Sequence, residues 1–422
     1  MTAKSGRLFE QDLLRQIRER FCHVESDPIV GRRIYLENAG GGLTLKRVVE
    51  VVAEQTALPD NAGRENATSQ VITKMLTKGK EDVALLVGAR SGVIAVGEST
   101  TTLVYRILGA IIANVPGANV VTTNLDHPAV YDATKILAER HHKEWRVAQL
   151  SPRTGKVDPG AVLKHVDSDT VFMVVIHGSN ITGMRNDVAT MIREARKIKP
   201  DLVAVVDGAQ HGSHGLVDVE ALQCDAYFLS SYKFFSKVGA AAAHIAERIS
   251  RLPHDRLLGK PDNYWELGTR EQAGYAGWSE VVNYLYWLGG HFTKSADRRE
   301  QVVAAMNAIE QHERALTCQM LRGTSNARGL LDIESVTVYG EVEDLTTRDP
   351  CLAINVQGMT TNEFLAYMAT KGISVHNRIS DAYSKHTLKG LGIEECIRVS
   401  MGHYNSPEEV ETFLHTVEQI NK

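Results

Sequence analysis

The sequence predicts an α/β protein with a mainly parallel central sheet, helices on both of its faces, and a smaller α+β domain towards the C-terminus. Three observations carry that expectation. Short apolar runs alternate with segments of helical period between Val93 and Val206. Several of those runs, Leu202 to Val206 above all, are apolar throughout, as strands covered on both faces are. The chain's 422 residues exceed what one hydrophobic core serves, and its texture changes in the last quarter, so more than one domain is expected.

Composition narrows the classes further. An apolar fraction of 43% with 23% charged residues is that of an ordinary soluble globular protein. A net charge of -4 supplies no basic field for nucleic acid and no polybasic membrane anchor. Cys22, Cys224, Cys318, Cys351 and Cys396 are odd in number and scattered, with no Cys-x-x-Cys pair, which argues against a disulfide framework or a metal site and fits a reducing cytoplasm. Met1 to Gln11 lack the apolar core of a signal peptide, and no apolar run approaches membrane-spanning length.

In chain order, Leu13, Leu14, Ile17 and Phe21 recur at helical spacing, so residues 8–22 read as an amphipathic helix within an N-terminal segment, 1–32. Ile34-Tyr35-Leu36 is a short strand opening a large domain, 33–285. The Gly40-Gly41-Gly42 run after it is either a flexible loop or a place where backbone comes close to something. Residues 43–57 and 67–89 read as helices. Val93 to Val96 is a strand ending in Ser99-Thr100, and a helix follows with Leu103, Ile107, Ala110 and Ile111 on one face. Hydroxyls at a helix N-terminus either cap the helix or hold a phosphate.

Strands are then expected at Ala118 to Asn124, Trp145 to Leu150, Val171 to Ile176 and Leu202 to Val206, with helices over 129–141, 158–166 and 186–198 between them. Ala226 to Leu229 is another strand, and Gly239 to Ile245 reads as an antiparallel one after a tight turn. Asn263 to Trp278 is irregular. A helical region from Gly277 to Leu321, broken near Gly289-Gly290, bridges to a C-terminal domain, 286–422 counting the bridge. There Ser335 to Tyr339 and Leu352 to Val356 alternate as strands, 361–371 is a helix, Ile397 to Ser400 is a strand, and Ser406-Pro407-Glu408-Glu409 starts the last helix with a capping box.

Ligands in open α/β sheets bind beyond the carboxyl ends of the strands, and two residues delivered to that rim stand out. Asp207 ends one apolar run, and Lys233 follows the next, just past Ser230-Ser231. An acid and an amine at one rim are what pyridoxal 5'-phosphate requires: the amine forms a Schiff base with the aldehyde, and the acid keeps the ring nitrogen protonated so that it can accept electrons.

The ordered set Ser99-Thr100, Asp126-His127, Asn180, Asp207-Gly208-Ala209-Gln210, Ser230-x-x-Lys233, Gly268-Thr269 and Arg398-x-Ser400 resembles the class V aminotransferase group of fold-type I pyridoxal phosphate enzymes, from residue 33 to the C-terminus. The cysteine desulfurase and isopenicillin N epimerase branches look nearest. The resemblance implies that Lys233 is the Schiff-base lysine and proton shuttle, that Asp207 pairs with the ring nitrogen, that Gln210 donates to the phenolic oxygen and that His127 lies over the ring. It implies phosphate contacts from Ser99, Thr100 and Ser230, and from Thr269 of a neighbouring subunit, hence a homodimer with shared sites. Asn180 and Arg398 then hold the carboxylate of an amino-acid substrate, for which a guanidinium fork is suited.

Two departures matter. Where the desulfurase branch carries Val-Arg-Thr-Gly-His-His-Cys, this chain has Val375-His376-Asn377-Arg378-Ile379-Ser380-Asp381-Ala382-Tyr383, without a cysteine to receive sulfur. Cys351 and Cys396 read instead as small apolar core residues. Tyr232 replaces the usual histidine before the lysine, with its hydroxyl free to reach the phosphate, and Arg378 is either a second anion clamp or a surface residue. The expected reaction is β-elimination on a cysteine-derived or related amino acid. Transamination or epimerisation comes second and desulfuration third. A scaffold without turnover would be expected to lose the lysine or the acid, and both are present.

Overall fold

A computed structural model describes residues 5–269 and 271–420. The first four residues of the expected N-terminal segment lie outside that range. Seven strands, β1 (Val93–Gly97), β2 (Asn119–Thr123), β3 (Glu144–Ala148), β4 (Thr170–Ile176), β5 (Val203–Asp207), β6 (Ala226–Ser230) and β7 (Ala241–Ile245), form one sheet in the order β1-β7-β6-β5-β4-β2-β3. Neighbours from β6 through to β3 pair in parallel. β7 runs antiparallel to both of its neighbours, as the tight turn after Lys233 requires.

Both faces of this sheet are covered, which explains the unbroken apolar runs. Along β5, Val203 and Val205 face the helix Thr100–Asn114 through Leu103, Ile107 and Ile111, while Ala204 and Val206 face the opposite core with Trp278, Leu285 and Met306. Successive residues of one strand thus serve two cores, so neither can be polar. The N-terminal helix, Gln11–Arg20, buries Leu14 and Ile17 in the core that contains Trp278.

The stretch expected to be irregular through Trp278 becomes helical earlier, at Ala273, and that helix runs to Gly289. The break at Gly289-Gly290 is real. The backbone of Gln301 occupies the space a Cβ at Gly289 would need, and the next helix, Arg298–Arg322, starts afresh with Asp297 as its cap, the carboxylate accepting from the Glu300 N–H at 2.8 Å.

A second sheet joins β8 (Val336–Tyr339), β9 (Cys351–Val356), β10 (His376–Ile379) and β11 (Glu395–Ser400) in the all-antiparallel order β8-β9-β11-β10. β9 does not alternate as expected: as an inner strand it is buried on both faces except at Asn355. β10 went unpredicted because an edge strand of polar residues shows no apolar period. Its core, with Leu316, Phe364 and Phe413, includes Leu36 from the N-terminal half. The short strand Ile34–Tyr35 pairs in parallel with Ile373–Ser374. The last helix, Pro407–Glu418, carries the capping box read from Ser406 and Glu409, and the Thr361–Thr370 helix has a second one, Thr360 with Glu363.

Candidate active site

The parallel strands deliver their polar ends to one rim. Ser99 and Thr100 follow β1, His127 follows β2, Asn180 follows β4, Asp207 ends β5 with Gln210 just beyond, and Ser230 ends β6 with Tyr232 and Lys233 just beyond. All nine line a single cleft. The sequence-predicted residues outside that lining are Arg398 and Arg378, on the second sheet, and Thr269, which is exposed.

Lys233 is half-buried, with its Nζ donating to Gln210 Oε1 at 3.1 Å. Burial, opposed by Asp207 and reinforced by Arg398 and Arg378, brings its ammonium down to about 8, so the free amine is accessible near neutrality. Asp207 is 2% exposed and accepts from the Ala209 N–H at 3.0 Å. Burial raises its carboxyl against that N–H and the Lys233 charge. A cationic ring nitrogen is the partner such a buried carboxylate lacks.

The turn that aims Asp207 depends on Gly208, because the Tyr227 ring fills the place of a Cβ there. Tyr227 is buried and its hydroxyl lies 3.0 Å from His177 Nδ1, so it has little room to retreat. Gly208→Ala is expected to cost roughly 1–3 kcal/mol by overpacking, measurable as a lowered urea midpoint. It should also weaken cofactor uptake by displacing Asp207.

Ser99 is the N-cap of the Thr100–Asn114 helix, its Oγ accepting from the Thr102 N–H at 3.1 Å. Capping and anion binding are compatible here, since Thr100 and Thr101 of the first turn also line the cleft. His127 caps the Pro128–Arg140 helix through Nδ1, 3.1 Å from the Ala129 N–H, and burial together with Lys233 and the two guanidiniums pushes it down to about 3. It is a neutral ring on the cleft wall. Beside it, burial pushes the Asp126 carboxyl up to about 7 despite hydrogen bonds from Thr122 and Thr123.

The glycine run proves to be a close approach. A Cβ at Gly41 would lie 3.2 Å from the Tyr232 ring and one at Gly42 3.2 Å from the Lys233 carbonyl, and the Gly42 N–H donates to Tyr232 O at 3.0 Å. Two residues beyond the lysine, Phe235 has φ 61°, a strained value for an aromatic residue, held by rings of Phe21, Phe234, Tyr284 and His403 around it.

Arg398 and Arg378 share one face of the second sheet, since Arg398 lies opposite His376 and Arg378 opposite Cys396 across β10 and β11. Arg398 is 1% exposed, and its Nη1 donates to the backbone oxygen of Asn180 at 3.1 Å. The Nε of each guanidinium is buried without a hydrogen-bond partner. Burial and then Arg378 lower Arg398 to about 10, and burial lowers Arg378 as well. Arg378 is therefore half-buried beside Arg398, not a surface residue. Burial pushes the thiols of Cys351 and Cys396 up to about 11 and about 12, away from nucleophilic character.

The sequence reading missed a buried polar layer under the cleft. Gln210 Nε2 is 3.3 Å from His214 Nε2, and His214 Nδ1 is 3.0 Å from Glu313 Oε2 on the Arg298–Arg322 helix. Burial raises the Glu313 carboxyl to about 7, and Glu313 in turn raises His214 against the effect of burial. Nearby, Asp349 accepts from Arg185 Nε at 2.7 Å and lies 3.0 Å from His211 Nδ1. Only the four-residue step from Gln210 to His214 could have been noticed in the sequence.

The sequence matches the family Aminotransferase class-V over residues 34–413. It is 26% identical to the aminotransferase-like protein FGM3 of Gibberella zeae over 96% of this chain and 98% of that protein. It is also 26% identical to a probable cysteine desulfurase of Pseudomonas putida over 72% of this chain and 71% of that one. Among solved structures, a cysteine desulfurase from Thermococcus onnurineus superposes with a TM-score of 0.77 at 23% identity, covering 92% of this chain and 94% of that one. Cysteine desulfurase CsdA of Escherichia coli gives 0.77 at 20% identity with 98% of each chain covered. The likeness in fold agrees with the sheet order and its rim. With nearly the whole length matched, the chain belongs to the class-V aminotransferases and is a pyridoxal 5'-phosphate-dependent enzyme.

Proposed function

We propose that this enzyme acts at the α-carbon of an amino acid and eliminates a β-substituent, in the manner of a carbon-sulfur lyase on a cysteine-derived or related substrate. The observation that carries the reading is the Lys233 amine in the cleft, close enough to Asp207 for each to shift the other and 3.1 Å from Gln210. When bound, pyridoxal 5'-phosphate supplies an electron sink for a carbanion at the α-carbon. Lys233 Nζ takes the α-proton and can pass it to the sulfur, which departs with the electron pair of the Cβ–S bond; a lysine lowered to about 8 takes that proton far more readily than an exposed one. Asp207 would pair with the ring nitrogen, Gln210 would donate to the phenolic oxygen, and His127 would cover the ring. Ser99, Thr100, Ser230 and Tyr232 would hold the phosphate, and Asn180, Arg398 and Arg378 the substrate's carboxylate end.

Elimination is favoured over desulfuration because the cysteines nearest the arginines, Cys351 and Cys396, are buried with raised thiols, and the segment Val375 to Tyr383 has none. The exposed position of Thr269 supports its use by a second subunit, in a homodimer with shared sites. The division at about residues 32 and 285 belongs to the same reading. The free thiols support a reducing, cytoplasmic setting. Among the described residues no helix is long and apolar enough to cross a membrane.

The test incubates the cofactor-loaded protein with amino acids and cysteine conjugates and assays pyruvate, ammonia, sulfide and the pyridoxamine form together. Pyruvate with ammonia is the expected result. Accumulation of the pyridoxamine form, or sulfide without pyruvate, would overturn elimination. Mass in solution reads the dimer, and a monomer that turns over would remove the shared site.

A further inference from the structure

We propose that His214 and Glu313 are positioning residues that hold the Gln210 amide with its oxygen towards Lys233, and so set how readily the lysine releases its proton. The inference rests on the assignment of Lys233 above and concerns residues that never touch the substrate.

The argument is one of donors and acceptors. Gln210 Nε2 carries only donors, so its contact with His214 Nε2 at 3.3 Å requires a lone pair on that nitrogen. The imidazole proton must then sit on Nδ1, which is aimed at Glu313 Oε2 at 3.0 Å. With the amide nitrogen engaged there, Oε1 is left as the acceptor for Lys233 Nζ at 3.1 Å. Turning the amide over would set an NH2 group against the ammonium and a carbonyl against the imidazole lone pair, two losses at once. Glu313 thus fixes the tautomer, the tautomer fixes the amide, and the amide stabilises the charged lysine.

The elements supply the rigidity. Gln210 and His214 flank the single 3-10 turn His211–Ser213 that follows β5, and Glu313 comes from the long helix on the other side of that core. Gln210, His214 and Glu313 are 2%, 5% and 2% exposed. Among the described residues Glu313 Oε1 has no hydrogen-bond partner and the imidazole is the one side chain bonded to the carboxylate. A buried carboxylate with half its capacity unused costs stability that an apolar side chain would not. Of the other titratable groups, Asp207, Arg398, Arg378, Cys351 and His127 face Lys233, and Asp349 and Arg185 act on His214 and Glu313.

The experiment follows reductive methylation of Lys233 in the cofactor-free full-length protein as a function of pH, read by peptide mass. Glu313→Leu and His214→Phe each remove one link, and either serves if the other fails to fold. Both should lower the midpoint by about half to one pH unit, that is, speed methylation near pH 7 by roughly three- to tenfold. Glu313→Gln, which keeps an acceptor for His214 Nδ1, should retain most of the wild-type midpoint. His214→Phe added to Gln210→Leu should shift nothing further. Wild-type midpoints in folded Glu313→Leu and His214→Phe proteins, or equal shifts in Glu313→Gln and Glu313→Leu, would overturn the relay. Failure of the wild-type protein to take up pyridoxal 5'-phosphate at Lys233 would instead sink the functional assignment, while the methylation midpoints still decide the relay.

Discussion

Lys233→Ala is expected to lower turnover by on the order of 10⁴-fold or more, because one side chain supplies both the covalent hold on the cofactor and the proton transfer at the α-carbon. The loaded protein should also lose the absorbance near ~420 nm that borohydride removes from the wild type. Folding should survive, since the lysine side chain hydrogen-bonds to Gln210 and its charge opposes its own burial. Added small amines offer a sharper check. Partial recovery of turnover that rises with the free-base concentration of methylamine points to a missing amine and not to a distorted cleft. A variant within tenfold of wild type would remove Lys233 from the chemistry.

Asp349→Ala is expected to destabilise the protein by about 3–5 kcal/mol, the cost of leaving the largely buried Arg185 guanidinium without its carboxylate. Asp349 is 1% exposed and serves both Arg185 and His211, while Arg185 also reaches Glu310 at 2.7 Å on the Arg298–Arg322 helix. The network therefore ties the rim of the seven-stranded sheet to the start of β9 in the second sheet. Burial opposes charge on Asp349, but Arg185 and His211 outweigh it and hold its carboxyl well below the usual range. A depressed folded value means that the stabilisation is present above the unfolded carboxylate's titration and is lost as pH falls through the folded one. The difference between variant and wild type should therefore be constant from neutrality down to about pH 4 and shrink only in stronger acid. Urea midpoints at several pH values measure it. A loss under 1 kcal/mol at neutral pH would show that the network adds nothing net.

Much of this molecule was legible before any coordinates. The parallel strands were readable because residues such as Val203 to Val206 must be apolar on both faces, and the rim residues because each ends an apolar run. The caps at Ser99 and Ser406 were readable because helix ends need side-chain acceptors at fixed spacing. β10 was not, since the polar edge residues His376 to Arg378 carry no period. The early start at Ala273 was hidden by a glycine- and aromatic-rich composition whose helicity comes from burial of Tyr275 and Trp278.

Sequence alone determined the identity and order of the groups at the rim, from Ser99 through Asp207 to Lys233, because local period and strand ends are properties of neighbours in the chain. Only the tertiary structure decided what surrounds them: Arg378 beside Arg398, the glycine run against Tyr232, and Glu313 behind His214 and Gln210. Those partners are separated by up to hundreds of residues, and their effects come from burial and through-space charge, which no local pattern of residues encodes.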